Sequence, residues 1–401
     1  RIERGPAHRI TPFCEHFGEC GGCRGQHLSV EDQFKLKATA YIESMARLGV
    51  EVEQILPDQN QRYRNRMDFV VESSIVGLRP AGNFRRFVDV RSCKIQRQHA
   101  DEVLAMLRLI LAEHPALPFT RRGQSGNLKY ITIREGAVSG AVIFTLCEGR
   151  ADSDDYQSFE SKVVQSLIDY KAQSGFQFSL FVGEVGPLSE TSAPPDSKPV
   201  YGDPFFEEYL GPLLFRVPAD SFFQPNPSGF YQLFAKALAA TESRFQGGDV
   251  IDLYCGSAAL SLLAVHLLPG INAIYGADFS MSGVELGRRN IDMYNHKHSK
   301  SLHHSLHAFD LMKGLPDFGE TSSTAKLMIV DPPRAGLSPR IIDAIKHQLK
   351  APLLLSVSCS PMTQVQNLIE LESDFRPVYA AVTDPFPNTT HLESVVLLER
   401  R

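Results

Sequence analysis

The chain has 401 residues, of which 43% are hydrophobic, and it carries a formal net charge of −5. This length predicts two or three domains, and the lack of a long uninterrupted apolar run argues against a membrane protein. Seven cysteines at irregular spacing argue against a disulfide scaffold and for a reducing compartment, so a cytoplasmic location is expected.

The first 29 residues are rich in Gly, Cys and His and show little hydrophobic periodicity. Cys14, Cys20 and Cys23 place three thiols within ten residues, a spacing typical of a metal centre. The spacing fits a [4Fe–4S] cluster or a zinc ion, although structural zinc more often uses closely spaced cysteine pairs. Residues 1–29 are therefore predicted to be a metal-binding loop.

A mixed domain follows one long helix. The helix is predicted over Val30–Leu48, where apolar residues recur at intervals of three and four, and residues 30–55 are expected to pack on the catalytic domain. Residues 56–218 are predicted to form an α+β domain. Its predicted strands and single helix are Met67–Val71, Phe87–Val90, Tyr130–Ile133, Val142–Leu146 and Glu102–Leu111. Thr191–Pro199 contains three prolines and is predicted to be an exposed loop.

Positive charge is concentrated in this α+β domain. Between Gln61 and Arg134 there are fourteen Lys and Arg residues but only six Asp and Glu residues, although the whole chain is acidic. Such segregation predicts a surface that binds a polyanion, and nucleic acid in particular. A basic face that contacts only solvent is the alternative.

From residue 219 onward, apolar runs alternate with helical stretches, which predicts a doubly wound, mostly parallel sheet. The predicted strands are Asp249–Tyr254, Ala273–Ala277, Leu327–Val330 and Leu353–Val357. Ligands of such sheets bind at the carboxyl ends of the strands. The chemically informative side chains of this half fall at those ends.

A cofactor site is predicted at the first of these strands. Asp252 lies on the strand, which runs into a small-residue turn at Gly256 and then into a helix, so a ligand can approach free backbone amides. Asp278 ends the next strand, where a carboxylate can bind ribose hydroxyls, and Asp310 follows a further segment. With only one glycine the dinucleotide fingerprint is not met, so S-adenosylmethionine is favoured over NAD. A tight turn with a capping acid is the alternative.

The reactive groups are predicted at two later strand ends. Asp331-Pro332-Pro333 follows one strand, and its rigid prolines direct the carboxylate. Cys359 follows the next strand; an inert buried thiol is the alternative. Methylation of a nitrogen needs no thiol, whereas methylation of uracil C5 does, because thiolate addition to C6 makes C5 nucleophilic. Glu393 supplies a carboxylate that can remove the C5 proton, although a solvated Glu393 is the alternative.

Seven motifs in family order carry a resemblance that runs from about Pro12 to the C-terminus. They are Cys14-Glu-His-Phe-Gly-Glu-Cys20-Gly-Gly-Cys23, Tyr63-Arg64-Asn65-Arg66, Ser221-Phe222-Phe223-Gln224-Pro225-Asn226, Asp252-Leu-Tyr-Cys-Gly256, Asp331-Pro-Pro-Arg-Ala-Gly336, Ser358-Cys359-Ser360-Pro361 and Phe386-Pro-Asn-Thr-Thr-His391-Leu-Glu393-Ser394. With these motifs the chain resembles the RNA uracil-C5 methyltransferase family, particularly its iron–sulfur members that act on 23S ribosomal RNA.

The resemblance implies a Rossmann-like class I methyltransferase domain over residues 219–401 and an α+β domain that carries the cluster loop. It implies Cys359 as the nucleophile, Glu393 as the base and Asp331 as the group that holds the uracil edge. For the methyl donor it implies Gln224, Gly256, Asp278 and Asp310. For the RNA substrate it implies Phe222, Arg64 and Arg66. It implies Cys93 as the fourth ligand of the cluster.

Two positions depart from the family pattern: Ala258 replaces a usual second glycine, and Ser360 replaces a usual asparagine. Three hypotheses follow. The first is a monomeric RNA uracil-C5 methyltransferase, with 23S ribosomal RNA ahead of transfer RNA as substrate and no membrane partner. The second is a nucleic-acid N-methyltransferase built on Asp331-Pro-Pro. The third is an RNA-binding protein without catalytic activity.

Overall fold

The computed structural model describes residues 9–83, 85–149, 153–195, 197–318 and 325–401. The chain divides into two compact units. Unit 1 comprises Arg1–Val30 and Gln59–Ser221, and unit 2 comprises Glu31–Asp58 and Phe222–Arg401; the sequence predicted boundaries after residues 29, 55 and 218. No helix in the described ranges has both the length and the apolar character needed to cross a bilayer.

The described residues form eight α-helices, one short 3-10 helix (Leu311–Lys313) and seventeen strands. The helices are α1 Val30–Arg47, α2 Gln98–Ala112, α3 Asp154–Ser174, α4 Pro227–Glu242, α5 Ala259–Leu267, α6 Met281–His298, α7 Pro339–His347 and α8 Pro361–Leu371. The strands are β1 Val52–Ile55, β2 Arg66–Glu72, β3 Ile75–Leu78, β4 Val88–Asp89, β5 Leu128–Glu135, β6 Ser139–Cys147, β7 Gln177–Val185, β8 Lys198–Tyr201, β9 Phe206–Leu210, β10 Leu213–Val217, β11 Asp249–Leu253, β12 Ala273–Asp278, β13 His303–Ala308, β14 Ala325–Val330, β15 Leu353–Ser358, β16 Phe375–Thr383 and β17 Glu393–Arg400.

Unit 1 has the predicted α+β character. Its main sheet has the order β4-β3-β2-β5-β6-β7-β8, antiparallel except between β6 and β7. The four predicted strands and the predicted helix are confirmed, each with somewhat different ends. The predicted loop Thr191–Pro199 is wrong at its end, because Pro199 lies in β8. That strand is at the sheet edge, where a proline removes no ladder hydrogen bond.

Unit 2 contains an eight-stranded sheet of order β1-β16-β17-β15-β14-β11-β12-β13. The five strands from β15 to β13 are parallel neighbours, which confirms the doubly wound, mostly parallel prediction. The sequence did not predict β17, which lies antiparallel between β15 and β16, or β1, which adds a parallel edge strand. Because β17 runs in the opposite direction, its first residue lies at the carboxyl edge of the parallel strands.

The predicted helix Val30–Leu48 is confirmed as α1. Phe34, Ala38, Tyr41 and Met45 are at most 2% exposed and belong to the hydrophobic core of unit 2. Their spacing of three and four residues forms a single stripe along the helix. Residues 31–58, which include β1, are thus part of the same folded unit as the C-terminal sheet.

Candidate active site

The turn between β11 and α5 has an unusual backbone. Tyr254, Gly256 and Ala258 have φ angles of 67°, 47° and 58°, in the left-handed region that is costly for residues with a side chain. A Cβ atom added to Gly256 would meet only the Oδ2 of Asp278, at 4.0 Å. Open space therefore lies over this backbone, as a bound ligand at the predicted cofactor position requires.

Ala258 does not narrow that space. Its side chain is 0% exposed, so its methyl group packs inside the protein. The left-handed φ of Ala258 accounts for the glycine usual at this position, because glycine adopts this conformation without a steric penalty.

Asp278 ties the turn to the next strand. Its Oδ2 accepts a hydrogen bond from the Gly256 amide at 3.0 Å, and its Oδ1 accepts one from the Ser280 amide at 2.8 Å. The carboxylate is partly exposed. It therefore shapes the turn and also offers lone pairs to a ligand.

The other three predicted donor contacts have different surroundings. Asp252 is 1% exposed and accepts a hydrogen bond from the Ser261 hydroxyl, and burial is the largest cause that raises its pKa to about 7. Asp310 accepts from the Met312 amide at 3.0 Å and lies 3.6 Å from the Lys313 ammonium. Gln224 is partly buried. A donor contact of each residue stays a prediction.

The segment that contains Phe222 and Gln224 is anchored at its far end. Asn226 begins α4 and caps it by accepting from the Gly229 amide at 3.2 Å. The Asn226 side-chain amide donates to the Pro385 carbonyl at 2.7 Å. Phe222 remains 71% exposed, which leaves one face of its ring free for stacking on a base.

Three predicted reactive residues meet at the carboxyl edge of the unit 2 sheet. Asp331 follows β14 and Cys359 follows β15. Glu393 is the first residue of β17, and the β15–β17 register pairs Ser358 with Ser394. Cys359 directly follows Ser358, and Glu393 directly precedes Ser394, so the two residues lie next to this last pair of the ladder.

The electrostatics of these groups confirm that they are neighbours. Burial, followed by the charges of Glu393 and Asp331, raises the pKa of the Cys359 thiol. Burial and then Asp331 raise the pKa of Glu393 well above its ordinary value. Burial and then Asp278 raise the pKa of Asp331 to about 7. The reactive groups therefore share one acidic edge with the predicted donor residue Asp278.

One cation offsets this acidic cluster. Arg334, in the Asp331-Pro-Pro-Arg motif, hydrogen-bonds Cys359 and acts to lower its pKa. Its charge also acts to lower the pKa of Glu393. Its guanidinium donates to the His391 ring at 3.0 Å. The sequence analysis assigned Arg334 no role, although its place in the motif directly after the two prolines was a usable signal.

In unit 1, the two arginines predicted to bind substrate are engaged locally. Arg66 binds the Asp68 carboxylate with its Nη2 at 2.9 Å and its Nε at 3.2 Å. Arg64 donates from Nε to the Arg66 carbonyl at 2.9 Å, and its charge lowers the pKa of Cys23. Substrate binding by either residue stays a prediction.

Other arginines of unit 1 are more available. Arg85 and Arg86, in the loop between β3 and β4, and Arg122, in the turn before β5, are exposed. None of the three forms an ion pair with a carboxylate in the described part of the chain. Arg121 lies over the Phe87 ring at 5.2 Å, so the two loops are in contact. Together they present a basic surface that the sequence analysis did not resolve.

The four predicted metal ligands lie together in unit 1. Cys14, Cys20, Cys23 and Cys93 line one cavity, with mostly apolar neighbours. Burial, and then the nearby thiols, raise the pKa of Cys23 to about 11 and that of Cys93 to about 12. Over the described ranges, no three or more His, Cys, Asp or Glu side chains are grouped so that they could hold a metal ion.

The cysteine loop is closely packed against the sheet. The Gly21 amide donates to the Arg79 carbonyl at 3.0 Å, and a Cβ atom at Gly21 would lie 2.6 Å from that oxygen. Only glycine fits this approach. The packing of the loop therefore requires glycine at position 21, between Cys20 and Cys23.

Comparison with known proteins identifies the family. Residues 211–401 match the family model described as tRNA (Uracil-5-)-methyltransferase. The chain is 35% identical over 401 residues to an uncharacterized RNA methyltransferase of Leptospira interrogans, covering 98% of this chain and 84% of that protein. It is 28% identical over 395 residues to the tRNA (uracil(54)-C(5))-methyltransferase of Pyrococcus horikoshii, covering 97% and 86%.

A solved structure shows the same fold. The tRNA (uracil-54, C5)-methyltransferase of Pyrococcus abyssi, in complex with S-adenosyl-L-homocysteine, superimposes with a TM-score of 0.74 at 24% identity, over 95% of this chain and 86% of that one. The chain belongs to the RNA uracil-C5 methyltransferase family and is an enzyme that methylates uracil C5 in RNA with S-adenosylmethionine. The RNA uracil-C5 methyltransferase activity of the first hypothesis is thus confirmed, whereas its preference for 23S ribosomal RNA stays a prediction.

Proposed function

We propose that this enzyme methylates uracil through a covalent bond between Cys359 and C6, with Glu393 as the base. One observation carries the proposal: the β15–β17 register pairs Ser358 with Ser394, the residues next to Cys359 and Glu393, and Asp331 directly follows the neighbouring strand β14. A carbon methyltransferase needs a nucleophile and a base on the same ring. The arrangement supplies both, and its third member can bind the polar edge of the ring.

The reaction can be written with its bonds balanced. The Cys359 thiol loses its proton to water, and the thiolate forms an S–C6 bond while the C5–C6 π electrons move toward C5 and the C4 carbonyl. When bound, S-adenosylmethionine would supply the methyl group to C5, and its S–CH3 bond would break so that S-adenosylhomocysteine leaves. Glu393 removes the C5 proton, the C5–H electrons restore the C5–C6 double bond, and the S–C6 bond breaks to return the thiolate.

The surroundings of each group suit this role. The raised pKa of Glu393 makes it a stronger base than an ordinary carboxylate. Arg334 opposes the effect of burial on Cys359 and so favours the thiolate. The methyl donor would lie against Gly256, Asp278, Asp310 and Gln224, where acidic side chains complement the positive sulfonium. Phe222 would stack on the target base.

The decisive experiment uses RNA that contains 5-fluorouridine. Fluorine cannot leave C5 as a proton does, so the enzyme should remain covalently bound to the RNA under denaturing conditions. Cys359→Ala should form no complex and should not methylate ordinary RNA. Cys147→Ala, which removes a buried thiol of unit 1, is the matched control and should behave like the wild type. Full methylation by Cys359→Ala, with the methyl group on a nitrogen, would instead support the Asp331-Pro-Pro alternative.

Two RNA substrates are compared in the same assay. The motifs resemble those of enzymes that act on 23S ribosomal RNA, whereas the relatives of Pyrococcus horikoshii and Pyrococcus abyssi are described as acting on uracil 54 of tRNA. We propose 23S ribosomal RNA as the first candidate substrate, on the basis of the motifs. The second candidate is tRNA, which the named relatives favour. Formation of the covalent complex with only one of the two 5-fluorouridine RNAs decides between them.

We propose further that Cys14, Cys20, Cys23 and Cys93 hold a [4Fe–4S] cluster. Their common cavity supports a shared centre. The spacing of Cys14, Cys20 and Cys23 and the resemblance to the iron–sulfur members of the family favour the cluster over zinc. When bound, the cluster would join the cysteine loop to Cys93 as a cross-link.

Metal analysis tests the cluster. Protein purified without oxygen should contain iron and acid-labile sulfide in equal amounts, with a visible charge-transfer absorption. Cys93→Ala should lose both elements, whereas Cys147→Ala should retain them. Stoichiometric zinc without iron would support the zinc alternative.

A further inference from the structure

The loop that precedes Glu393 is buried although it has no regular structure. It runs from Asp384 to Leu392 between β16 and β17, and the stretch 384–388 is entirely buried. Asn388 adopts a φ of 72°, so the loop turns sharply at that point. Buried irregular backbone is stable only when its polar groups find partners. The partners of this loop therefore hold the backbone that leads into Glu393.

Helix α1 supplies many of these partners. The Lys37 ammonium binds the Asp384 carboxylate, whose side chain is 0% exposed, and lies 3.5 Å from the His391 carbonyl. The Gln33 side-chain amide donates to the Asn388 side chain at 3.2 Å, and its oxygen accepts from the Asn388 amide at 2.7 Å. Both ends of the sharp turn are thus held by one helix.

A third residue of α1 reaches the strands of both reactive groups. The Tyr41 hydroxyl donates to the Gln364 side-chain oxygen at 3.0 Å, which also accepts from the Ser394 hydroxyl at 2.8 Å. The Gln364 nitrogen donates to the Ser356 carbonyl at 2.7 Å. Ser394 directly follows Glu393 on β17, and Ser356 lies on β15, which leads to Cys359. Tyr41 and Gln364 therefore connect the two strands whose ends react.

Gln33, Lys37 and Tyr41 are four residues apart and so lie on one face of α1. We propose that this face of α1 is a positioning device that holds Glu393 against the C5 proton of the covalent intermediate. The inference rests on the proposed roles of Cys359 and Glu393. It assigns to residues far away in sequence a role in the proton-removal step of the reaction.

The ion pair between Lys37 and Asp384 is better suited to positioning the loop than to stabilising the fold. A buried ion pair contributes little net stability, because desolvation offsets the attraction, but removal of one partner leaves the other charge buried and unpaired, which is strongly unfavourable. Burial lowers the pKa of Lys37 and raises that of Asp384, so both charges are desolvated. Loss of Lys37 would leave Asp384 without its cation and allow the loop to move. A displacement of the base by about 1 Å can slow a reaction by about a hundredfold.

The test separates the two chemical steps. Lys37→Met should slow release of tritium from RNA with [5-³H]uridine by about ten- to a hundredfold. The variant should also accumulate a covalent protein–RNA complex with this ordinary substrate, because removal of the proton has become the slow step. Adduct formation with 5-fluorouridine RNA should keep its wild-type rate, since it does not need the base. Equal slowing of both steps, or no slowing of either, would overturn the proposal.

Two further variants distinguish a loss of positioning from a loss of folding. Lys35→Met changes an exposed lysine two residues away on the same helix and should leave both steps unchanged. The double variant Lys37→Met/Asp384→Leu removes the whole ion pair and should regain the thermal stability of the wild type. If it regains stability but still releases tritium slowly, positioning is supported; if it also regains the full rate, the pair serves only folding. Failure of the wild type to form any 5-fluorouridine adduct would refute the proposed function instead.

Discussion

Cys359 is a thiol whose reactivity depends on the charges beside it. Burial and two carboxyl groups raise its pKa, and Arg334 acts in the opposite direction. Cys359 also lies just before α8, whose N-terminal amides favour a negative charge. The fraction of Cys359 present as the thiolate therefore depends on nearby groups with opposing effects on its pKa.

Removal of the Arg334 charge should shift this balance. Arg334→Gln should raise the pKa of Cys359 further, so the thiolate, and with it the rate of adduct formation, should appear only at higher pH. The acid limb of the pH–rate profile should move toward alkaline pH. Single-turnover assays with 5-fluorouridine RNA, from mildly acidic to alkaline pH, measure the shift. Arg289→Gln, on the exposed face of α6, is the control; an unshifted profile for Arg334→Gln contradicts the role of Arg334.

At the scale of elements, β17 brings the reactive groups together. An antiparallel strand between β15 and β16 presents its first residue at the edge where the parallel strands end. This topology brings Glu393 to the same sheet edge as Cys359, because the residues next to them, Ser394 and Ser358, are paired. The loop before β17 must then be held from outside the sheet, and α1 does so through the contacts of Gln33 and Lys37.

The basic loops of unit 1 have a separate expected role in binding RNA. Arg85→Gln/Arg86→Gln should weaken RNA binding without affecting donor affinity, because these exposed guanidiniums are free to contact phosphates. The slope of log affinity against log salt should become shallower by about one to two, since each lost phosphate contact removes about 0.7–0.9. Filter binding at several salt concentrations measures the slope. Lys198→Gln, at the opposite edge of the same sheet, should leave the slope unchanged; an unchanged slope in the arginine variant would show that RNA binds elsewhere.

At the scale of the whole molecule, the chain contributes to unit 2 twice. Residues 31–58 and 222–401 form one unit, with 59–221 in the other. The helical periodicity of Val30–Leu48 predicted α1 correctly, because a face of apolar residues at intervals of three and four is a local property. The polar residues on α1 carried no such signal. Lys37 and Gln33 look like ordinary surface residues until their partners, about 350 positions away, are known.

The amino-acid sequence by itself predicted the chemistry: a thiol and an Asp-Pro-Pro motif at strand ends, a carboxylate near the C-terminus, a small-residue turn for a donor, and three cysteines at metal-binding spacing. These are local patterns, in which residue type and spacing already limit the possible reactions. Only the tertiary structure decided how those groups meet. The antiparallel register of β17 pairs the neighbours of Glu393 and Cys359, Arg334 opposes the acidic cluster, and α1 holds the loop that precedes Glu393. Such relations depend on contacts between distant segments, which no local periodicity encodes.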